Sequence, residues 1–298
     1  MKEVPMLLAF ADESPLAHAL AREMDCELAF VETHRFPDGE IKLRLPPTLP
    51  PRVVVLRGLQ QPNDRLVQLL LAGRTARELG ARHLTLASPY LAYMRQDMAF
   101  QPGEAVSQRI VVGFLGSLFD RVITIDPHLH RIASLDEVMP GAQGAALTAA
   151  PLLGAWIASQ WPADSLPLLV GPDEEADQWV RAAGERTGLQ GLVCRKTRRG
   201  DRDVTVELPA QDITGRDVVI IDDVASTGNT IVQAAAALRE RGVASIDVAV
   251  VHALFGGDAI ERLMQAGVRH VWSTDAVPHS SNVVTVAPLL ARAIADCD

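Results

Sequence analysis

The 298-residue sequence predicts an α/β fold of two similar halves, each a mainly parallel sheet with helices on both faces. Three observations carry that reading. Short, almost purely apolar runs alternate with longer amphipathic stretches, the pattern of strands buried on both faces between crossover helices. The connections between them are short. The same rhythm occurs twice, before and after about residue 148.

In the first half, Met6–Phe10 reads as a strand. Ser14–Met24 reads as a helix with Ser14 as N-cap and Pro15 at its first position. Residues 53–57 form a strand, 64–79 a helix ended by Gly80, 83–87 a strand, Ser107–Leu118 a helix and Arg121–Ile125 a strand. The stretch 141–150, rich in Gly and Ala, marks a junction between a first domain, 1–147, and a second, 148–278. There the pattern resumes with a strand at 168–170 and a helix at 173–184. Residues 192–195 and Val204–Glu207 form a hairpin. A strand at 218–221, a helix at 231–241 closed by Gly242, and strands at 246–252 and 270–273 follow. A last helix, 286–295, comes after an irregular piece containing Pro278, Ser280 and Ser281, so 279–298 can pack back on the first domain.

Composition narrows the function classes. Hydrophobic residues make up 48% of the chain, ample for two cores. The formal charge is −9 with no basic block, which argues against nucleic acid as a partner. Three cysteines, Cys26, Cys194 and Cys297, are too few and too scattered for a disulfide framework or a structural zinc site. A reducing cytoplasm fits them, and neither a secretory leader nor an apolar run of membrane-spanning length is expected.

The most informative stretch is Val218-Val219-Ile220-Ile221-Asp222-Asp223-Val224-Ala225-Ser226-Thr227-Gly228-Asn229-Thr230. Apolar β-branched residues run into two carboxylates, then a turn of small and hydroxyl residues, then a helix. Ligands of open α/β sheets bind at such carboxyl ends of strands. The turn offers backbone N–H groups and the hydroxyls of Ser226, Thr227 and Thr230 to an anion, helped by the helix dipole. Ionised carboxylates only accept hydrogen bonds, so Asp222 and Asp223 suit a pair of sugar hydroxyls. A diol beside a phosphate describes a ribose 5-phosphate. No Gly-Lys-Ser/Thr and no G-x-G-x-x-G occurs, so neither a P-loop nor a dinucleotide fold has support.

Four other constellations sit on loops. His34-Arg35-Phe36-Pro37-Asp38-Gly39-Glu40 precedes an alternating strand at 41–45, and on its own Asp-Gly signals a plain turn. Tyr93-Met94-Arg95-Gln96-Asp97 follows a strand and reads equally as a phosphate-binding or an interface loop. Asp126-Pro127-His128-Leu129-His130 and Gly171-Pro172-Asp173-Glu174-Glu175 place polar groups after strands. A lone histidine pair is more often structural. An acidic helix start is ordinarily a cap, though Mg²⁺ also prefers carboxylates with substrate phosphates. Residues 195–202 carry Arg195, Lys196, Arg198, Arg199 and Arg202 in an acidic protein, which favours a basic arm closing over polyphosphate above a solvated turn.

Taken in order, Arg35 to Glu40, Tyr93 to Asp97, Asp126 to His128, Pro172-Asp173, Lys196-Thr197-Arg198, Asp222 to Thr230 and Thr285 to Leu290 resemble the ribose-phosphate pyrophosphokinases, or phosphoribosyl pyrophosphate synthetases, over nearly the whole chain. The resemblance implies two phosphoribosyltransferase-type domains and a homo-oligomer with its site near subunit interfaces. It implies that Phe36, Asp38, Gly39, Glu40, Arg95 and Gln96 hold ATP, with the Phe36 ring on the adenine. His128 and Asp173 would position Mg²⁺, Lys196 would be the catalytic cation, and Arg198 its partner. Asp222 and Asp223 would take the ribose hydroxyls, and Ser226, Thr227, Gly228, Asn229 and Thr230, with Arg198, the 5-phosphate. The reaction implied moves the diphosphoryl group of ATP to the 1-hydroxyl of ribose 5-phosphate and releases AMP.

The chain also departs from the family pattern. Met98 stands where a basic residue is usual, Ser226 where many members have Asp, and Asn229 where Gly is common. Asn tolerates positive φ, so the turn is expected to survive at Asn229. Two other classes compete: a phosphoribosyltransferase, which needs only one such domain and leaves Arg95, Gln96 and Lys196 without a role, and a non-catalytic regulatory relative, which loss of Lys196 or Arg198 would have favoured.

Overall fold

The computed structural model describes residues 4–129, 131, 132, 134–198 and 204–296, with backbone alone for 196–198 and 204–206. The chain divides into two compact units, residues 1–147 with 286–298, and residues 148–285. The first unit runs β1 (Met6–Phe10), α1 (Ser14–Met24), β2 (Leu28–Arg35), β3 (Ile41–Arg44), β4 (Arg52–Leu56), α2 (Pro62–Glu78), β5 (His83–Ser88), α3 (Ser107–Leu118), β6 (Arg121–Ile125) and β7 (Gln143–Leu147). Its strands lie in the order β3-β2-β1-β4-β5-β6-β7, parallel except for the hairpin partner β3.

Strand β1 shows why its sequence has no polar alternation. Met6, Leu8 and Phe10 join a core with Leu69 and Ala72 of α2 and Val112 and Leu115 of α3. Leu7 and Ala9 point to the opposite face and are also fully buried, on the side where α1 packs. A strand covered on both faces is the parallel-sheet pattern.

The second unit runs α4 (Ala150–Ser159), β8 (Leu168–Gly171), α5 (Asp177–Gly184), β9 (Gly191–Val193), β10 (Arg195–Arg198), β11 (Val204–Glu207), β12 (Asp217–Ala225), α6 (Asn229–Glu240), β13 (Ser245–Ala253), α7 (Ala259–Gln265), β14 (Val268–Thr274) and β15 (Asn282–Val284). The order is β15-β14-β13-β12-β8-β9, all parallel, with β10 and β11 as a separate antiparallel ribbon. A final helix, α8 (Ala287–Ala295), belongs to the first unit and packs on α1. Among the described residues no helix is long and apolar enough to cross a membrane.

With β3 set aside, the two sheets have one topology: second strand, first, third, fourth, fifth, sixth. Each has its switch point between the first and third strands, β1 and β4 in one unit, β8 and β12 in the other. In such sheets the crevice outside the carboxyl ends of those strands is where ligands bind.

Several expectations need correction. Ser14 is the first residue of α1 and not its cap, because Ala11–Glu13 already form a 3₁₀ turn and put Glu13 at the cap position. The acidic stretch from Asp173 is likewise a 3₁₀ turn, Glu174–Ala176, followed by α5. Leu192 does not belong to the hairpin: it pairs with Val170 in the main sheet, and Arg195 opens the strand that pairs with β11. The Gly/Ala-rich stretch at 141–150 is no bare linker, since β7 within it forms the edge of the first sheet. Strands β2 and β15 and helices α4 and α7 were not expected from the sequence. The segment 279–285 completes the second sheet through β15, so the return to the first unit starts at Val286.

Helices α4 and α5 pack with no room at Gly154, where a Cβ would lie 2.1 Å from the backbone oxygen of Ala183. Gly154→Ala should therefore destabilise the second unit by about 1–3 kcal/mol, despite the better helix propensity of Ala, because backbone must shift. Denaturant unfolding of the two proteins measures it, and an unchanged or higher midpoint rejects the close packing.

Candidate active site

The two carboxylates of the second unit sit inside a strand, not in a loop. Strand β12 continues through Asp222 and Asp223 to Ala225 because β13, buried along all nine residues, offers a ladder partner as far as Ala253. The Asp222 carboxylate accepts the N–H of Asp223 at 3.0 Å. Asp223 is buried and Asp222 half-buried. Burial, and then the like charges of Asp223 and Asp173, push Asp222 well above the usual carboxylate range. Three acids from β12 and the turn after β8 thus crowd one crevice. Hard carboxylate oxygens are what Mg²⁺ or sugar hydroxyls would take.

Asp173 itself does what an acidic helix start ordinarily does: its carboxylate caps the 3₁₀ turn by accepting the N–H of Glu175 at 3.1 Å. Cys194 is buried, and its thiol is pushed up to about 12 by burial and then by Asp173, so it is a packing residue and no nucleophile. Among the described residues no group of three or more His, Cys, Asp or Glu side chains stands ready to hold a metal alone. Mg²⁺ suits that situation, since it is usually held by one or two carboxylates completed by substrate phosphates and water.

After Ala225 the chain turns at Gly228, whose φ of +71° is the left-handed conformation that glycine enters without strain. The expectation of positive φ at Asn229 is corrected. Asn229 is the first residue of α6, and its side-chain oxygen accepts from Arg262 Nη1 at 2.8 Å. The other terminal nitrogen of Arg262 donates to the carbonyl of Thr227. Sequence reasoning missed Arg262, which lies on α7 and reaches the loop only by tertiary packing. The loop of Ser226, Thr227, Gly228, Asn229 and Thr230 is therefore a braced turn at the positive end of a twelve-residue helix.

In the first unit, Phe36 to Glu40 is the turn of the β2–β3 hairpin. Phe36 N–H donates to the Glu40 carbonyl at 2.8 Å and Gly39 N–H to the Phe36 carbonyl at 3.0 Å, with Gly39 at φ +96°. The Asp38 carboxylate accepts the N–H of Glu40 at 3.1 Å. The plain-turn geometry holds, and it leaves the Phe36 ring 39% exposed with His34 edge-on at 4.7 Å. Arg95 is exposed, while the Gln96 amide donates to the Met98 carbonyl at 3.0 Å. Tyr93 (φ +65°) and Asp126 (φ +39°) both take left-handed backbone, an unfavourable choice that concentrates at functional positions. His128 follows Asp126 beyond the end of β6.

The switch point of this unit is filled by its own charges. The Asp12 carboxylate takes Arg57 Nη1 at 2.6 Å and Arg65 Nη2 at 2.8 Å. Glu13 Oε1 accepts the Gly58 N–H at 2.6 Å, and Arg57 Nη2 donates to Gln68 at 2.5 Å while its guanidinium lies over the Phe10 ring. Sequence reasoning missed this network too. Its one visible signal was Arg57, a cation ending an apolar run. Lys196 and Arg198 lie on β10 with side chains outside the described ones, and His130, Arg199 and Arg202 fall outside the described residues.

Residues 5–118 match the model of the N-terminal domain of ribose phosphate pyrophosphokinase, and 157–270 that of the phosphoribosyl transferase domain. A ribose-phosphate pyrophosphokinase of Methanopyrus kandleri is 37% identical over 97% of this chain and 98% of its own. The chain belongs to the ribose-phosphate pyrophosphokinase family. That family is one of diphosphotransferases. A member from Halobacterium salinarum is 34% identical over 97% of this chain and all of its own. The crystal structure of phosphoribosylpyrophosphate synthetase from Mycobacterium smegmatis superposes with a TM-score of 0.85 at 25% identity, covering 99% of both chains. The match of the family's N-terminal domain leaves no room for a lone phosphoribosyltransferase domain.

Burial pushes Glu13 up from 4.5 to about 7, against the opposing pull of Arg57, the Gly58 N–H and Arg65. The native state then holds a proton that the unfolded chain gives up near 4.5, so stability falls as pH rises through that window. Glu13→Gln keeps the shape and an acceptor for Gly58 without the titration. Relative to wild type it should gain about 3 kcal/mol between pH 4.5 and 7. Urea unfolding at both pH values checks this, and parallel pH profiles reject it.

Proposed function

We propose that this chain transfers the β,γ-diphosphoryl group of ATP to the 1-hydroxyl of ribose 5-phosphate, giving phosphoribosyl pyrophosphate and AMP. The observation that carries the reading is the Asp222–Asp223 pair at the end of β12, followed by a Gly228 turn into α6, in a chain aligned end to end with ribose-phosphate pyrophosphokinases. A new bond forms between the sugar O1 and the β-phosphorus. The bond from that phosphorus to the oxygen bridging the α- and β-phosphates breaks, and the hydroxyl proton is lost to a base or to solvent.

In this reading the second unit is the ribose 5-phosphate side. Asp222 and Asp223 hold the ribose hydroxyls, and Ser226, Thr227, Gly228, Asn229 and Thr230 hold the 5-phosphate at the positive end of α6. The first unit is the ATP side: Phe36 offers an exposed ring to the adenine, while Asp38, Gly39, Glu40, Arg95 and Gln96 fix the nucleotide. Lys196 and Arg198 on the basic arm neutralise the charge that builds on the transferring group. His128 and Asp173 are the residues that would take Mg²⁺, each in its own unit, and the ion would supply positive charge to the ATP phosphates. The active form is a homo-oligomer, a reading supported by exposed Val67, Leu70 and Leu71 at helical spacing on α2 and exposed Ile110 on α3. It works in the cytoplasm, a reading supported by its three scattered cysteines.

AMP release by the purified protein with Mg²⁺, ATP and ribose 5-phosphate, each omitted in turn, tests the activity. AMP is expected only with all three, and AMP released without ribose 5-phosphate sinks the assignment. Lys196→Ala should lower kcat by about 10²-fold or more, as loss of one group on developing charge does elsewhere. Near-normal turnover removes Lys196 from that role. Asp222→Asn with Asp223→Asn should raise KM for ribose 5-phosphate by about tenfold or more and leave KM for ATP nearly unchanged, since each amide replaces one acceptor oxygen by an NH₂ donor and removes the charge that the sugar hydroxyls would meet. Equal losses for both substrates refute the diol assignment.

A further inference from the structure

The first turn of α2 touches both segments assigned to the nucleotide, although they lie far apart in sequence. Asp64 Oδ2 takes Arg35 Nη2 at 2.5 Å. The other terminal nitrogen of Arg35 donates to the Gly39 carbonyl at 3.3 Å, so Arg35 links Asp64 to the turn that carries Phe36, Asp38 and Glu40. One residue earlier, Asn63 accepts the hydroxyl proton of Tyr93. Tyr93 is the residue held at φ +65°, two positions before Arg95. Its unfavourable backbone needs an outside restraint, and the Asn63 bond is one.

The inner side of the same turn is tied to the core. Arg65 donates to the Gly58 carbonyl at 2.7 Å and to Asp12 at 2.8 Å. The backbone of the preceding segment is pinned as well, with Arg57 N–H on the Ala87 carbonyl at 2.9 Å and Leu59 N–H on the Tyr90 carbonyl at 2.8 Å. So the turn has a fixed base and two outward polar contacts, one to each segment.

The outward contacts are poorly placed to stabilise the fold. The Arg35 and Asp64 side chains are 51% and 65% exposed, and exposed ion pairs contribute little to stability. Their geometric effect is larger: a hairpin tip and a loop that share one anchor keep a fixed spacing. Nothing in the sequence motifs of the two segments supplies that spacing.

We propose that Asn63 and Asp64 are positioning residues, which hold the Phe36 hairpin and the Tyr93–Gln96 loop in one register for a single nucleotide. The proposal rests on the ATP reading of those two segments. Neither residue needs to touch the nucleotide. Asp64 acts through Arg35, and Asn63 through Tyr93.

The test is steady-state kinetics and thermal unfolding of Asp64→Asn, Tyr93→Phe and Asp64→Glu, beside Phe36→Ala and Arg95→Ala as direct-contact variants. Asp64→Asn and Tyr93→Phe are each expected to raise KM for ATP by about five- to tenfold, since small misplacement of bound groups is costly. KM for ribose 5-phosphate and the melting temperature should hold, and Asp64→Glu, which keeps a charge for Arg35, should recover most of the ATP affinity. If Phe36→Ala and Arg95→Ala raise KM for ATP while Asp64→Asn and Tyr93→Phe do not, the positioning role is wrong and the ATP reading stands. If the direct-contact variants are also silent, the ATP reading falls and the proposal with it. A lowered melting temperature with both KM values raised together makes the turn a plain scaffold and overturns the proposal.

Discussion

Charge balance at the switch points organises this molecule. Each sheet opens a polar crevice where its first and third strands end and the following connections diverge. Acids sit in both: Asp12 and Glu13 after β1, Asp173 after β8. In the first unit the third strand ends in Arg57, and Arg57 with Arg65 answers those acids from within the chain. In the second unit Asp222 and Asp223 lie within the third strand, which runs on to Ala225, and the acids crowd one another. One topology therefore carries an acid–arginine network in one unit and three neighbouring acids in the other. The Asp12 carboxylate, itself partly exposed, receives both arginines through short hydrogen bonds.

The consequence is a division of labour. In the proposed reading the first unit offers its ligand-facing groups on what projects from it, the β2–β3 hairpin and the loop after β5. In the same reading the second unit takes its ligand at the crevice and sets the N-terminus of α6 against an anion. The hairpin and the β10–β11 ribbon occupy the same place in the two topologies, between the second and third strands. The tip of the hairpin carries an aromatic and acids, and the ribbon's segment a run of cations. An acidic chain of net charge −9 that handles phosphates needs such cations concentrated locally, and residues 195–202 hold five of its 28.

Much of this was legible from residues alone, for a physical reason. Buried parallel strands leave continuous apolar runs, so β1, β4, β5, β6 and β12 announce themselves. The stretch from Asp222 to Thr230 is contiguous in sequence and could be read as a unit. The strand length at Asp222 could not, because it is set by β13 alongside. Strand β2 escaped notice because it turns exposed beyond Val31, and β15 because three residues carry no periodicity. Helix α4, with a polar face too narrow to show a period, and α7, with only seven residues, failed the same way. The brace of Arg262 on Thr227 and Asn229, and the network around Glu13, join segments more than thirty residues apart, which no local pattern encodes.

The residues so missed share one character: they hold other residues and do not themselves resemble ligand groups. Arg262 restrains a carbonyl and an amide at the phosphate turn, and Asp64 restrains an arginine at the hairpin. A contiguous motif can state which atoms meet a ligand, because ligand chemistry restricts the residue type. It cannot state what fixes those atoms in space, because many side chains on many elements would serve as an anchor. Glycine-containing turns such as 36–40 and 226–230 have backbone freedom, and each unit restrains its turn with one arginine, Arg35 on Gly39 and Arg262 on Thr227. The same solution in both halves, from unrelated elements, follows from a shared need: a guanidinium has donors enough to take a carbonyl with one nitrogen and a second acceptor with another.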